Sequence, residues 1–378
     1  RAALDALTLE KDGVDGRSIL LYGEGWDFGE VAGNARGVNA SQLNIGGTGI
    51  GVFNDRLRDG ARGGGPFSGL QEQGFITGLS DDPNRSAQGN GGEQRDRLLR
   101  YQDWIRLGLA GNLADYPLVD ATGRDVTGAD VDYNGNPAGY TQDPQENVIY
   151  VSAHDNETLF DAIQFKAPAS ATIADRVRMQ NLGNSLVLLA QGLPFVHAGD
   201  DLLRSKSGDR NSYNSGDWFN RLDFSYASNN WGVGLPPDST ERATVLAPLL
   251  ANPELKPTQA DILAASQGFR EMLQIRRSSP LFRLRTAEDV AAGLTFLNTG
   301  PEAEPGLIVM VLADLDRPDS DRPGLDPIYD RVVVLFNANR EPVTFTAESL
   351  RGLPLGLHPI QAASADPMGR TSRATYDG

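Results

Sequence analysis

The chain has 378 residues, with 34 Lys or Arg against 50 Asp or Glu, and therefore a formal net charge of −16. A chain of this length can bury a sizeable core and can form two or more domains. The acidic balance disfavours nucleic acid and anionic membranes as partners, and no apolar run approaches the roughly 18 residues that span a bilayer. The absence of cysteine excludes disulfides, thiol catalysis and thiolate metal sites.

The first candidate site is a carboxylate between two glycines near the start of the chain. An apolar stretch over residues 18–21 predicts a strand, and Glu24 follows it in the sequence YGEGWD. The glycines allow close approach of a ligand, and Trp26 offers a flat apolar face. A carboxyl group held against an indole is expected to have a raised pKa, which suits a general acid. A solvent-exposed Glu in a glycine-rich turn remains the alternative at this point.

Two further predicted strands also end in chemically active residues. Residues 148–152 lead into His154, Asp155 and Asn156, and residues 193–196 lead into His197 and a pair of aspartates. Three strands that each deliver acids, imidazoles or glycines at the carboxyl end are typical of the active face of a (β/α)8 barrel. The sequence therefore predicts that Glu24 and Asp155 project into one cleft.

Helical spacing of apolar residues predicts three core-facing helices. The residues are Leu98, Tyr101, Ile105 and Leu109 in the first helix, Ile173, Val177, Leu182, Leu186 and Leu189 in the second, and Ile262, Phe269, Met272, Leu273 and Ile275 in the third, over residues 258–277. Beyond about residue 284 the pattern changes to strands alone, at residues 294–297, 307–312, 331–336 and 343–346. The acidic insert over residues 314–330 lacks the arrangement of an EF-hand and is predicted to be a solvated loop.

Five segments resemble the pullulanase and limit-dextrinase branch of the α-amylase family of glycoside hydrolases. They occur in the family's order, and the last is highly specific to starch-debranching enzymes. The segments are YGEGWDFGEV (22–31), NASQLN (39–44), GTGIGVFNDRLR (47–58), SAHDNETLF (152–160) and FVHAGDDLLRSKSGDRNSYNSGDW (195–218).

The resemblance implies an α/β fold in two parts. Residues 1–285 would form the later strands of a partial (β/α)8 TIM barrel, and residues 286–378 an antiparallel β-sandwich. It also implies that the chain is cut at both ends, and that the nucleophilic aspartate lies upstream of Arg1. No signal peptide is visible. Because the resemblance implies a missing start, both a cytoplasmic and a secreted location stay open.

The implied activity is hydrolysis of α-1,6 branch linkages in pullulan, amylopectin or limit dextrins, with retention of configuration. Glu24 would be the general acid, and Asp155 the acid that hydrogen-bonds sugar hydroxyls and favours the distorted transition-state ring. Spacing alone leaves Asp155 open as the nucleophile. An α-1,4-acting or transferase member of the family and a non-catalytic glucan-binding fragment are the rival functions.

The resemblance also places residues around the scissile bond. His154 and Asn156 would bind the sugar at the point of scission, Trp26, Asp27 and Phe67 would shape the leaving-group side, and Asp209, Arg210 and Asn211 would contact glucose units on the non-reducing side. A core position for His154, loop packing for Phe67 and an internal salt bridge for Arg210 remain alternatives. The expected partner is an α-glucan bound by a monomer. No cofactor is expected, and structural calcium, which occurs in related enzymes, cannot be assigned to any residue.

Overall fold

The computed structural model describes residues 1–79, 81–237, 242–314 and 324–374. The strands within these ranges are β1 (Leu21–Gly23), β2 (Ile50–Asn54), β3 (Pro117–Val119), β4 (Asp125–Thr127), β5 (Asp132–Tyr133), β6 (Asn136–Pro137), β7 (Asn147–Ile149), β8 (Leu193–Pro194), β9 (Leu294–Phe296), β10 (Leu307–Ala313) and β11 (Arg331–Asn337). The α-helices are α1 (Ala2–Asp5), α2 (Leu9–Asp12), α3 (Asp55–Arg62), α4 (Gly91–Leu109), α5 (Leu159–Lys166), α6 (Ile173–Leu188), α7 (Ala243–Ala251), α8 (Gln259–Ser278), α9 (Ala287–Gly293), α10 (Pro359–Ala362) and α11 (Pro367–Thr371).

A curled parallel sheet of four strands, in the order β1-β2-β7-β8, forms the first part of the molecule. Leu21 pairs with Ile50, Phe53 with Val148, and Val148 with Leu193. All three pairings are parallel, so the carboxyl ends of the strands lie at one edge of the sheet. This arrangement confirms the predicted parallel half-barrel.

Aromatic side chains link these strands. The ring centroid of Phe53 lies 4.8 Å from that of Tyr150 and 4.9 Å from that of Phe195, both edge to face. Tyr22 contacts the rings of Phe53 and Phe195 at 6.4 Å. Edge-to-face pairs of this kind stabilise a sheet beyond the area they bury. They fix the strands from which the candidate site residues project.

The long helices follow the predicted apolar spacing. Leu98, Tyr101, Ile105 and Leu109 of α4 are buried. Helix α8 begins after Thr258, whose hydroxyl accepts the backbone N–H of Asp261 while the Asp261 carboxylate accepts the backbone N–H of Thr258. This capping box explains why the helix begins there. The prediction of the inward face is wrong for one residue, Leu273, which is 43% exposed and lies on the solvent side of α8.

The second part contains an antiparallel sheet in the order β11-β10-β9, which confirms three of its four predicted strands. Residues 343–346 do not form a strand, since no described strand pairs with them despite their alternating pattern. The second facing sheet of a sandwich is not found among the described residues, so that prediction is not confirmed. Residues 315–323, most of the predicted acidic loop, lie outside the described residues.

The two parts share one hydrophobic core. A single cluster of buried residues includes Ile105 and Leu186 from the first part and Ile308 and Met310 from the second. The Tyr116 hydroxyl donates to the Leu294 carbonyl at 2.8 Å, which adds a polar contact across the same boundary. The division at residue 285 stays a prediction. Within the described ranges, no helix has the length and apolar character needed to cross a membrane.

Candidate active site

Glu24 lies directly after β1, at the carboxyl edge of the parallel sheet, and is exposed. The following turn depends on Gly25, which has φ +75°. A Cβ atom at Gly25 would lie 2.5 Å from the Cβ of Val52, so no larger residue fits against β2 without a shift. Gly23 has open space around it. Close packing therefore explains Gly25, whereas access for a ligand is consistent with Gly23.

His154 and Asp155 follow β7 and face Glu24. One carboxylate oxygen of Glu24, one ring nitrogen of His154 and one carboxylate oxygen of Asp155 all lie within 4.8 Å of one another. His154 Nε2 is 3.3 Å from Asp155 Oδ1, and the two side chains are 77% and 66% exposed. The predicted approach of Glu24 and Asp155 is therefore confirmed. The exposure of His154 excludes its alternative role as a core histidine.

Arg210 connects the loop after β7 to a second loop. Its Nη2 donates to Asn156 Oδ1 at 3.0 Å and to the Pro66 carbonyl at 3.1 Å. Asn156 has φ +59°, a left-handed conformation that asparagine tolerates better than most residues. Arg210 thus connects the two loops through an amide oxygen and a backbone carbonyl. Its contact with a sugar stays a prediction.

Glu157 anchors the end of the same loop. Its side chain is 13% exposed, its Oε1 accepts from Arg242 Nη2, and its Oε2 lies 3.5 Å from Arg62 Nη2. Burial disfavours the charged carboxylate, but attraction to Arg242 and Arg62 outweighs it and lowers the pKa of Glu157. This cluster was not identified from the sequence, because its three members come from separate parts of the chain.

The residues predicted for the leaving-group side have different environments. Trp26 is half-buried, and both carboxylate oxygens of Asp27 accept the Gly33 N–H, at 3.0 and 3.1 Å. Asp27 therefore stabilises the turn that follows the site. Phe67 is 99% exposed, which excludes its alternative role in loop packing. Phe67 directly follows Pro66, whose carbonyl accepts a hydrogen bond from Arg210.

The remaining predicted residues lie in the segment after β8. Asp209 is 1% exposed, and its Oδ1 accepts the backbone N–H of Asn211 at 2.7 Å. The structure therefore does not bring the Asp209 carboxylate into the open space around Glu24. Asn211 is half-buried, next to Arg210.

Two buried titratable groups, His197 and Asp200, follow β8 in the chain. Asp200 is buried, and its carboxylate accepts the Ser152 hydroxyl at 2.8 Å. Burial raises the pKa of Asp200 to about 7, against the opposing effect of the Ser152 hydrogen bond. His197 is also buried, and burial together with the charges of Arg204 and Lys206 lowers its pKa to about 3. His197 is therefore neutral at physiological pH.

The group formed by Glu24, His154 and Asp155 can act in two chemical ways. Among the described residues, it is compact enough to hold a metal ion through one imidazole and two carboxylates. The same exposed groups can donate a proton and accept hydrogen bonds from a polyhydroxylated ligand. The sequence had given no metal-binding pattern, since these residues become neighbours only when β1 and β7 lie in one sheet.

Comparison with known proteins assigns a family to this arrangement. The family described as "Alpha-1,6-glucosidases, pullulanase-type, C-terminal" matches residues 226–378. Pullulanase 1, chloroplastic, of Arabidopsis thaliana is 48% identical over 100% of this chain and 39% of its own length. A pullulanase of Klebsiella pneumoniae is 41% identical over 92% of this chain and 31% of its own length.

A solved structure gives the same result. The maltotriose complex of PulA from Klebsiella pneumoniae has a TM-score of 0.82 and 41% sequence identity, over 91% of this chain and 36% of that chain. The present chain spans between 31% and 39% of the length of these relatives. The sequence comparison and the structural comparison agree on one assignment: the chain belongs to the pullulanase family of glycoside hydrolases.

Proposed function

We propose that this chain carries the acid and the sugar-binding half of an α-1,6-glucosidase site that acts on pullulan, amylopectin or limit dextrins with retention of configuration. The observation that supports the proposal is the approach of Glu24, His154 and Asp155 to within 4.8 Å, at the carboxyl ends of two parallel strands. Membership of the pullulanase family and the binding of maltotriose by the Klebsiella PulA add to it.

Glu24 acts as the general acid in this proposal. Glycoside hydrolysis needs a carboxylic acid that protonates the leaving oxygen. Glu24 is exposed, follows an open Gly23, and lies where a glucan can reach it. Phe67 and Trp26 present aromatic faces to the apolar C–H side of a sugar on the leaving-group side.

Asp155 and His154 bind the sugar at the point of scission. Asp155 accepts sugar hydroxyls and strengthens these bonds as the ring distorts, while the imidazole of His154, 3.3 Å away, orients the carboxylate. Asn156 and Arg210 hold this loop from the non-reducing side. Both carboxylates come from side chains, so this reaction requires no cofactor, and we propose that the protein acts as a monomer.

A second carboxylate must attack the anomeric carbon. By resemblance to the family, we expect it on a strand that precedes β1, in a segment upstream of Arg1. In the described residues β1 pairs with β2 alone, so its other edge can accept such a strand. Asp155 is the other candidate, because a spacing within 4.8 Å from Glu24 is near the roughly 5 to 5.5 Å of an acid and nucleophile pair.

One experiment tests the proposal and separates these nucleophiles. The polypeptide that includes the upstream segment is assayed for maltotriose release from pullulan and for action on linear amylose. We expect cleavage of pullulan with little action on amylose; the reverse preference would support an α-1,4-acting enzyme. We also expect the 378-residue chain alone to bind glucan without turnover. Turnover by the chain alone that Asp155→Asn abolishes would assign the nucleophile to Asp155 instead.

A further inference from the structure

Lys206 is a buried cation that reaches the loop after β7 from below. Its side chain is 0% exposed, and its Nζ donates to the His154 carbonyl at 2.8 Å. A lysine ammonium has three donors and no acceptor, and its burial costs free energy unless carbonyls or carboxylates surround it. The position of this side chain therefore needs a structural or functional reason.

The main chain around Lys206 is fixed to the helix that follows the same loop. The backbone N–H of Lys206 donates to Asp161 Oδ2 at 2.8 Å, and the Ser205 hydroxyl donates to Asp161 Oδ1 at 2.5 Å. Asp161 lies in the first turn of α5, and its own N–H donates to the Thr158 hydroxyl at 3.1 Å. Lys206 is thus held rigidly at its own backbone while its side chain holds His154.

Lys206 anchors the loop at His154, the residue directly before Asp155. Arg210 holds Asn156, and Arg242 holds Glu157, so both of these anchors follow Asp155 in the chain. Lys206 holds the residue that precedes Asp155. The side chains of His154 and Asp155 are 77% and 66% exposed, so packing alone cannot fix their direction and the backbone must do so.

We propose that Lys206 is a positioning residue: its ammonium group fixes the His154 backbone, so that His154 and Asp155 face Glu24 before substrate arrives. The expected effect on turnover rests on the proposed function. The expected effect on the loop does not, since it follows from the hydrogen bond itself.

The chain provides a matched control in Lys166. This lysine is also buried, and its Nζ donates to the carbonyls of Gly63 and Glu72 at 2.7 and 2.8 Å. Lys206→Met and Lys166→Met each replace a buried ammonium by a thioether of similar length. Only Lys206→Met removes a donor from the His154 carbonyl.

The first test uses NMR of the imidazole groups in the 378-residue chain, which contains three histidines. The ring resonances of His154 are assigned with His154→Gln. We expect Lys206→Met to shift and broaden them and to leave those of His358 in place, while Lys166→Met leaves those of His154 in place. Unmoved His154 resonances in Lys206→Met, or an equal shift in Lys166→Met, would overturn the proposal.

The second test measures turnover by the polypeptide that includes the upstream segment. A small misplacement of catalytic groups can cost about 10²-fold, so we expect Lys206→Met to lower kcat on pullulan by about that factor. KM should change less than about threefold, because ground-state binding depends less on orientation. Lys166→Met should retain kcat. An unchanged kcat in Lys206→Met would contradict the positioning role. Shifted His154 resonances in Lys206→Met, together with a wild-type polypeptide that does not cleave pullulan, would contradict the proposed function alone.

A measurement on the unmutated chain decides the question if Lys206→Met does not fold. At pH 6 the Lys206 ammonium should exchange slowly with water and show a scalar coupling between its nitrogen and the His154 carbonyl carbon. A rapidly exchanging ammonium without this coupling would mean that the hydrogen bond does not hold the loop.

Discussion

The two sides of the candidate site are held in different ways. The turn that carries Glu24 is fixed by the fit of Gly25 against Val52 and by the exposed Asp27 carboxylate, and its charged neighbours Glu30 and Arg36 form an ion pair at the surface. The loop that carries His154 and Asp155 is held by buried or largely buried cations. In the proposed function, this difference would place an adjustable general acid opposite a firmly held loop that binds the sugar. Substitutions on the first side should therefore affect activity more than stability, and substitutions on the second side should affect both.

The largest expected effect is on activity, at the exposed side. If Glu24 is the general acid, as we propose, Glu24→Gln removes the proton that the leaving oxygen needs, and turnover should fall by about 10²- to 10⁴-fold. Thermal unfolding should be nearly unchanged, since Glu24 is exposed. Pullulan hydrolysis and calorimetry measure the two effects. Substrates with an activated leaving group should lose less activity, because they need less help from an acid.

The neighbouring ion pair supplies the control for Glu24. Glu30→Gln makes the same chemical change a few residues away, at a side chain that is 72% exposed. It should retain pullulan cleavage. If Glu24→Gln retained near wild-type turnover as well, Glu24 would not be the general acid.

The second effect is on stability, at the buried side. Glu157→Gln leaves Arg62 and Arg242 without their shared carboxylate, and we expect a loss of about 3 kcal/mol in the free energy of unfolding, near the lower end for a broken buried ion pair. Urea unfolding measures the loss. Glu30→Gln again serves as the comparison, with an expected loss of at most about 1 kcal/mol for an exposed pair. Equal losses in the two variants would contradict the contrast between the two sides.

Much of the fold could be predicted from local sequence. The apolar stretches before Glu24, His154 and His197 correspond to β1, β7 and β8 within a few residues, and the helix predicted over residues 258–277 corresponds to α8. Local pattern was misleading where pairing decides the outcome. Residues 343–346 alternate as a strand does, but no described strand lies beside them.

The approach of Glu24 to Asp155 was predictable because parallel strands end at a common edge. The hydrogen bonds and ion pairs that hold the loop after β7 could not be predicted from the sequence. Glu157, Arg62 and Arg242 meet only through tertiary structure, and nothing in the spacing of Lys206 indicates that its side chain returns to the His154 carbonyl. Similarly, Asp209 shared a segment with Arg210 and Asn211, yet its burial separates it from the open space near Glu24.

The pH dependence of stability sharpens the comparison further. Burial raises the pKa of Asp200 to about 7, above its ordinary value near 4, so the folded chain holds this proton longer than the unfolded chain does. The stabilisation is present at low pH and is lost as the pH rises through about 7. Burial also raises the pKa of Asp161 to about 6, which acts in the same direction. Glu157 acts in the opposite direction, because its lowered pKa gives stability that is lost as the pH falls.

Asp200→Asn tests this linkage. The amide keeps an acceptor for the Ser152 hydroxyl and has no proton to lose. The fall in the free energy of unfolding between pH 5 and pH 7 should become shallower, by at most about 1.4 kcal/mol per pH unit for one proton. Urea unfolding at several pH values measures the slope. An unchanged slope would show that Asp200 does not titrate in this range.

The smallest expected effect is at Phe67, the most exposed residue of the predicted leaving-group side. Phe67→Ala should change the free energy of unfolding by less than about 0.5 kcal/mol, because a ring that is 99% exposed packs against little. If the ring stacks on a glucose unit, its loss should weaken binding by about 0.5–1.5 kcal/mol, a few-fold in KM, with kcat retained. Steady-state kinetics on pullulan measure this change. Phe224→Ala, at another aromatic residue that is 74% exposed, is the matched control. An equal change in KM for both variants would remove Phe67 from the sugar-binding surface and leave the leaving-group side to Trp26.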